Sequence, residues 1–260
     1  MSNGRVLGLP VQDERADTAN TLHVLPEGAV TQDPFPHSVI PGFLDDGDAR
    51  YLSRALDLVK GYGSEKNVAH TQGKRAYTPF DSNFSREVWE IVAQLMRPAM
   101  LERLGHITGI YGLVPDPYFQ GAGFHVIAPG GFLKIHADYS YHVPLKLYRR
   151  VNLLIYLNQD WHPEWGGDLE LWARDMSKCV VRVSPTFNTA VVFNTDETSY
   201  HGHPEPLKCP VGECRKSLAL YYYAAEPAPK TRKRTHTKYV ERASDNFLSW
   251  KTRVTRWVTG

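Results

Sequence analysis

His136 and Asp138 stand one residue apart in Phe132-Leu133-Lys134-Ile135-His136-Ala137-Asp138. In a β-strand alternate residues share a face, so this imidazole and carboxylate project together and can take adjacent positions on one metal. A second histidine from a distant strand would complete a three-ligand face, and Ser199-Tyr200-His201-Gly202-His203 supplies it. Two histidines and one carboxylate, with the remaining positions open, suit Fe(II) that must also admit a bidentate co-substrate and O2. His-x-Asp alone is a weak signal in a chain with eleven histidines, where a core or surface histidine is the ordinary alternative. The order of the parts strengthens it, because Arg215 follows both histidine segments.

Arg215-Lys216-Ser217 opens the apolar run Leu218-Ala219-Leu220-Tyr221-Tyr222-Tyr223. Strand alternation puts Arg215 and Ser217 on one face. A guanidinium fork gripping a carboxylate, aided by a hydroxyl, is a strong and geometrically specific contact. Its bland alternative is a structural ion pair, but a buried arginine needs an anion in either case. His125 and Asn152 can face the same cavity, His125 in register with Ile127; for both, packing is the competing role. Lys134 falls on the His136 face and otherwise points to solvent. His142 continues the alternation from His136, but Pro144 suggests that the strand has ended, leaving it on a rim or loop. Trp161, Trp165 and Trp172 read as core and turn packing.

These residues must be held by strands. Short apolar runs at Gly123–Ala128, Phe132–Asp138, Val151–Leu157, Leu169–Trp172, Val180–Val183, Ala190–Asn194 and Arg215–Tyr223 are separated by turn residues, among them Pro129-Gly130-Gly131 and Trp165-Gly166-Gly167. Many strands without intervening helices predict a mainly β jelly roll. Two helices precede it. One opens at Asp45-Asp46-Gly47-Asp48, with Leu52, Ala55, Leu56 and Val59 on one face, and ends at Gly61-Tyr62-Gly63. The other begins at Ser85, carries Val88, Ile91, Val92 and Leu95 on one stripe, and breaks near Pro98 to Leu104. Between them, Gly63 to Asn83 is polar and reads as an exposed loop or lid. Residues 1–120 are thus lead-in and support, 121–225 the core, and 226–260 a basic tail, together one domain.

That tail holds nine of the chain's thirty Lys/Arg against Glu241 and Asp245 from Lys230 onward, so it carries about +7 and the rest about −5. A solvated helix face is the simplest account, and nucleic-acid binding is disfavoured because the strands lack an aromatic–basic recognition block. Ser244-Asp245 can cap a helix with Phe247, Trp250, Val254 and Trp257 on one face, a surface for the body or for a homodimer. At 260 residues the chain can bury a core without staples. Its three cysteines do not make a disulfide framework, and no run approaches a membrane span, so cytoplasmic residence is expected.

Five blocks in order resemble the 2-oxoglutarate/Fe(II) dioxygenases of the prolyl 4-hydroxylase-like superfamily. They are Pro129 through Asp138, Arg150-Val151-Asn152-Leu153-Leu154-Ile155-Tyr156-Leu157-Asn158, Trp165-Gly166-Gly167-Asp168-Leu169-Glu170-Leu171-Trp172, Ser199-Tyr200-His201-Gly202, and Arg215-Lys216-Ser217. The resemblance covers about Tyr118 to Tyr223. It implies a double-stranded β-helix with His136, Asp138 and His201 on iron and Arg215 on 2-oxoglutarate. It also implies that Tyr156 bonds the same carboxylate, and that O2 is consumed, with ascorbate an optional auxiliary. His203 is an alternative to His201, which better matches the Tyr-His-Gly block. Relatives that halogenate lack the carboxylate that Asp138 supplies, so hydroxylation of a C–H bond is expected. The substrate expected is a small molecule or biosynthetic intermediate; a prolyl residue in a protein is the close rival. A cupin-like metal module without O2 chemistry is a more distant one, because such a module needs no co-substrate clamp.

Overall fold

The computed structural model describes residues 30–61, 65–228, 234–242, 244 and 245. The proposed tail helix with Phe247, Trp250, Val254 and Trp257 lies outside them, as does most of the lead-in.

β1 (His37–Pro41) leads into α1 (Asp46–Val59); β2 (Lys66–Val68) and β3 (Thr71–Tyr77) follow as a hairpin; α2 (Arg86–Gln94) and α3 (Pro98–Thr108) complete the helices. The remaining strands are β4 (Val114–Pro115), β5 (Gly123–Ala137), β6 (Tyr141–His142), β7 (Leu147–Tyr156), β8 (Leu169–Trp172), β9 (Cys179–Val183), β10 (Thr189–Asn194), β11 (His201–His203), β12 (Arg215–Ala224) and β13 (Lys238–Tyr239). They pair in the order β1-β10-β7-β12-β5-β11-β8-β9, with β3 and β13 on the other edge of β5. Each of these ladders is antiparallel.

β5 is the strand on which both halves turn. Its first part, Gly123–Ile127, pairs with β12, and its second, from Leu133, pairs with β11. One strand therefore joins both halves of a single 13-stranded sheet, in keeping with a double-stranded β-helix. The expected turn at Pro129-Gly130-Gly131 is instead an irregularity inside this continuous strand, where the register of β3 shifts between Gln72 and Lys74. Gly131 permits the close approach there. A Cβ on it would meet Ile127 Cγ2 at 2.5 Å and the carbonyls of Ala128 and Gln72 at 2.8 Å. A Pro-Gly-Gly signal marks a backbone that is special, and here it is a bend rather than a reversal.

The expected lid also changes character. Lys66–Tyr77 is a β-hairpin fastened along β5 from Phe124 to Leu133, so the polar stretch is part of the sheet. Its polarity misled because one face of the hairpin is exposed and the other looks into a cavity.

The helices hold the larger sheet from outside. Asp45 caps α1, accepting from Gly47 N at 2.9 Å and Asp48 N at 3.3 Å. Leu52 and Leu56 then sit in a core with Val151, Leu153, Ile155, Leu218 and Leu220. Ser53 Oγ donates to the Leu157 carbonyl at 2.8 Å, and Lys216 reaches Asp57 at 3.0 Å, tying α1 to β12. The anticipated break at Pro98 separates two helices, with Pro98 opening α3, where a missing N–H costs nothing. Trp161 and Trp165 pack edge to face, and Trp161 Nε1 donates to the Gly166 carbonyl, as turn packing requires. Among the described residues, no helix is long and apolar enough to cross a membrane.

Since α1 backs the strands that carry the site, Leu52→Ala is expected to cost about 2–5 kcal/mol of stability. Urea denaturation measures it, and a loss near zero would mean that α1 does not support the sheet.

Candidate metal centre and co-substrate pocket

His136 on β5 and His201 on β11 are directly opposite in register. Facing residues of an antiparallel pair share one side of the sheet, so two rings remote in sequence meet, with centroids 4.5 Å apart. Gly202 lets β11 lie this close to β5, because a Cβ there would sit 2.8 Å from the carbonyls of Leu133 and Lys134. Asp138 follows the end of β5. Its Oδ1 is 3.5 Å from His136 Nε2 and its Oδ2 is 3.5 Å from His201 Nε2. One ligand atom from each of the three residues lies within 4.8 Å of the others.

The tautomers follow from the other ring nitrogens. His136 Nδ1 is 2.9 Å from the Lys134 carbonyl, and His201 Nδ1 is 2.9 Å from the Ser199 carbonyl. A carbonyl can only accept, so both Nδ1 atoms carry hydrogen. A neutral ring then presents its Nε2 lone pair toward Asp138. Burial pulls the pKa of His201 down to about 4, against the opposing pull of Asp138. Burial alone would raise Asp138, but the Arg149 guanidinium and the two imidazoles hold it well below the usual range. Neutral nitrogen lone pairs and an ionised carboxylate converging on one point is an arrangement that a divalent cation satisfies. Nδ1–H bonds to backbone carbonyls are the usual outer support of such ligands.

Asn152 faces the cavity as expected, and Arg149 joins it there. Asn152 Nδ2 donates to Asp138 Oδ2 at 2.8 Å, and its Oδ1 accepts from Arg149 Nε at 2.9 Å. Arg149 Nη2 lies 2.8 Å from Asp138 Oδ2, and its guanidinium stacks 3.3 Å from the Tyr221 ring centroid. Oδ2 thus accepts a hydrogen bond from Asn152 and carries the ion-pair contact with Arg149, leaving Oδ1 as the less encumbered oxygen.

These groups line a cavity of about 220 Å³. Arg215 opens onto it from β12, with Ser217 on the same face. Arg215 is 4% exposed; its Nε donates to the Gly167 carbonyl at 2.8 Å and its Nη2 to Tyr156 Oη at 3.3 Å. No carboxylate among the described residues lies within ion-pair distance of it. Burial lowers its pKa, and Tyr156 and the Asp168 carboxylate offset part of that. A buried guanidinium with no carboxylate in ion-pair contact fits a ligand that brings one.

His125 lines the cavity, its Nε2 3.1 Å from the Gly121 carbonyl. His203 also lines it, but stands outside the three-residue cluster and opposite Leu133 rather than His136. His142 is neither rim nor loop. It is fully buried on β6, with Nε2 3.2 Å from Asp116 Oδ1 and Nδ1 accepting from Leu145 N. Lys134 ion-pairs with Asp245 at 3.3 Å, away from the cavity lining.

His125, His201 and His203 are all held neutral mainly by burial. Unfolding restores their ordinary pKa of about 6.5, so below that the unfolded chain binds more protons than the native one. Stability of chelator-stripped protein should therefore fall with pH from 6.5 toward 4, by up to about 1.4 kcal/mol per unit per histidine. Urea midpoints at several pH values measure this, and a flat profile would contradict neutral burial.

Residues 122–223 match the family model of the 2OG-Fe(II) oxygenase superfamily. No curated protein matches the sequence. Among solved structures, a prolyl hydroxylase from Trichoplax adhaerens, in complex with a hypoxia-inducible-factor oxygen degradation domain peptide, superposes with TM-score 0.50. It is 18% identical, over 72% of this chain and 83% of that one. A prolyl 4-hydroxylase from Phytophthora capsici gives TM-score 0.51 at 18% identity, over 85% of this chain and 68% of its own. HygX from Streptomyces hygroscopicus, with nickel, 2-oxoglutarate and hygromycin B bound, gives 0.48 at 13% identity, over 78% and 92%. At such identity the first two establish a shared fold. The matched segment, residues 122–223, is that of the 2OG-Fe(II) oxygenase superfamily, and it carries His136, Asp138, His201 and Arg215.

Proposed function

We propose that His136, Asp138 and His201 hold the Fe(II), and that Arg215 with Tyr156 and Ser217 anchors the far carboxylate of 2-oxoglutarate. On this reading the reaction hydroxylates an unactivated C–H bond of a small molecule. Two Nε2 lone pairs converging on Asp138, while both Nδ1 atoms are tied back to carbonyls, is the observation that carries it. Fe(II) with 2-oxoglutarate and O2 supplies oxidative decarboxylation and C–H oxidation, so one oxygen atom enters the product and the other enters succinate, with loss of CO2.

The chain's own residues have narrower tasks. Asn152 and Arg149 fix the Asp138 carboxylate and offset its charge, directing Oδ1 to the metal. Arg215 orients the co-substrate by a charge-assisted contact at the buried end of the cavity. The β2–β3 hairpin, with Tyr239 of β13 and Tyr139, lines the space where substrate would sit. His125 and Asn152 line the space without a contact that commits them to co-substrate. The three cysteines are free thiols, in keeping with a reducing compartment such as the cytoplasm. The helices and the jelly roll are read as one oxygenase domain, since α1 and the sheet share a single core.

Two variants separate the roles. His201→Ala should abolish Fe(II) binding and coupled succinate formation, whereas Arg215→Met should keep the metal and weaken 2-oxoglutarate by about ten- to hundredfold. Anaerobic Fe(II) and 2-oxoglutarate titrations measure both. Unchanged iron affinity in His201→Ala, or unchanged co-substrate affinity in Arg215→Met, would reject the assignment. A panel of free amino acids and prolyl peptides, scored by succinate release and product mass, decides between the substrate classes.

A further inference from the structure

Lys66 on β2 and Lys74 on β3 face one another in register across the hairpin, and both line the cavity. Like charges directly opposite on a strand pair repel. Neither ammonium has an acidic partner among the described residues. Glu65, the nearest acid in sequence, is taken by Arg75 at 2.8 Å, and Asp138 by Arg149 at 2.8 Å. Lys66 is exposed at the mouth while Lys74 is half-buried further in. Burial and Lys66 pull the Lys74 pKa down to about 8, and Asp138 pushes back.

The lining holds four permanent or near-permanent cations, Lys66, Lys74, Arg149 and Arg215, against the single acid Asp138. With Fe(II) and a doubly charged co-substrate in place, the metal, Asp138, Arg149 and Arg215 still leave positive charge uncompensated before the lysines are counted. Co-substrate therefore does not account for them. Their position differs as well. Lys74 pairs with Ile127 on one edge of β5, and Arg215 pairs with Ile127 on the other, so the lysines approach from the hairpin side.

We propose that Lys66 and Lys74 form an anion subsite that receives a carboxylate or phosphate group of the substrate, with Lys74 the main specificity determinant. This rests on the oxygenase reading of the cavity. An anion between the two ammonium groups converts a repulsive pair into two charge-assisted contacts and orients the remainder of the molecule toward His136, Asp138 and His201.

The test uses full-length protein loaded anaerobically with Fe(II) and 2-oxoglutarate, titrated with inorganic phosphate and separately with acetate in a calorimeter. Wild type should bind at least one of them; Lys74→Met should weaken that anion about tenfold or more, Lys66→Met less, and Lys74→Arg within about threefold, with 2-oxoglutarate affinity held within about threefold throughout. Tighter phosphate assigns a phosphorylated substrate, and tighter acetate a carboxylated one. Lys66→Met, at the exposed mouth, carries the test should Lys74→Met fold poorly. Three outcomes overturn the subsite: no anion bound by wild type, an anion bound equally by the variants, or 2-oxoglutarate lost in parallel with the anion in Lys74→Met. Failure of wild type to bind 2-oxoglutarate at all would instead remove the oxygenase reading of this site.

Discussion

Two imidazole nitrogens and a carboxylate oxygen turned toward one another repel unless a cation lies between them. In this protein the rest of the site enforces that unfavourable convergence. The carbonyls of Lys134 and Ser199 fix both tautomers, and the register of β5 with β11 leaves the rings no separate faces. Burial also disfavours protonation of His201, and a divalent cation satisfies the arrangement. The strain is supported at a distance by the core beneath it, where α1 is pinned to the large sheet through Ser53, Asp57 and Lys216.

Charge organises the cavity as much as shape does. Arg149 and Asn152 together stabilise an ionised Asp138 at a depth where a lone carboxylate would protonate. Arg215 is buried with only a carbonyl and a phenol as partners. A protein tolerates such a group when a ligand completes it, and the same reasoning extends to the lysine pair on the hairpin. The pocket is built as an incomplete set of ion pairs, with the missing partners carried in by what binds.

Much of this was legible in the sequence because strand alternation is a strict rule. His136 and Asp138 had to share a face, as did Arg215 and Ser217, and the family resemblance linked them to His201. Arg149 escaped because β7 is irregular. Tyr222 pairs with Val151 but Tyr223 pairs with Arg149, and this skipped residue moves Arg149 onto the face of Asn152. Simple alternation from Asn152 would select Arg150, which instead bonds the carbonyls of Glu226 and Pro227. Lys66 and Lys74 escaped because a polar stretch looks solvated until its pairing to β5 is known. Pro129-Gly130-Gly131 was mistaken for a reversal, since close backbone approach and a turn draw on the same residues.

The most direct measurement is a crystal structure of the protein with Fe(II) and 2-oxoglutarate, locating iron by its anomalous scattering. The account predicts one iron bonded to His136 Nε2, Asp138 Oδ1 and His201 Nε2, with the far carboxylate of the co-substrate on Arg215. Iron bonded to His203 in place of His201, or a co-substrate carboxylate seated away from Arg215, would contradict it.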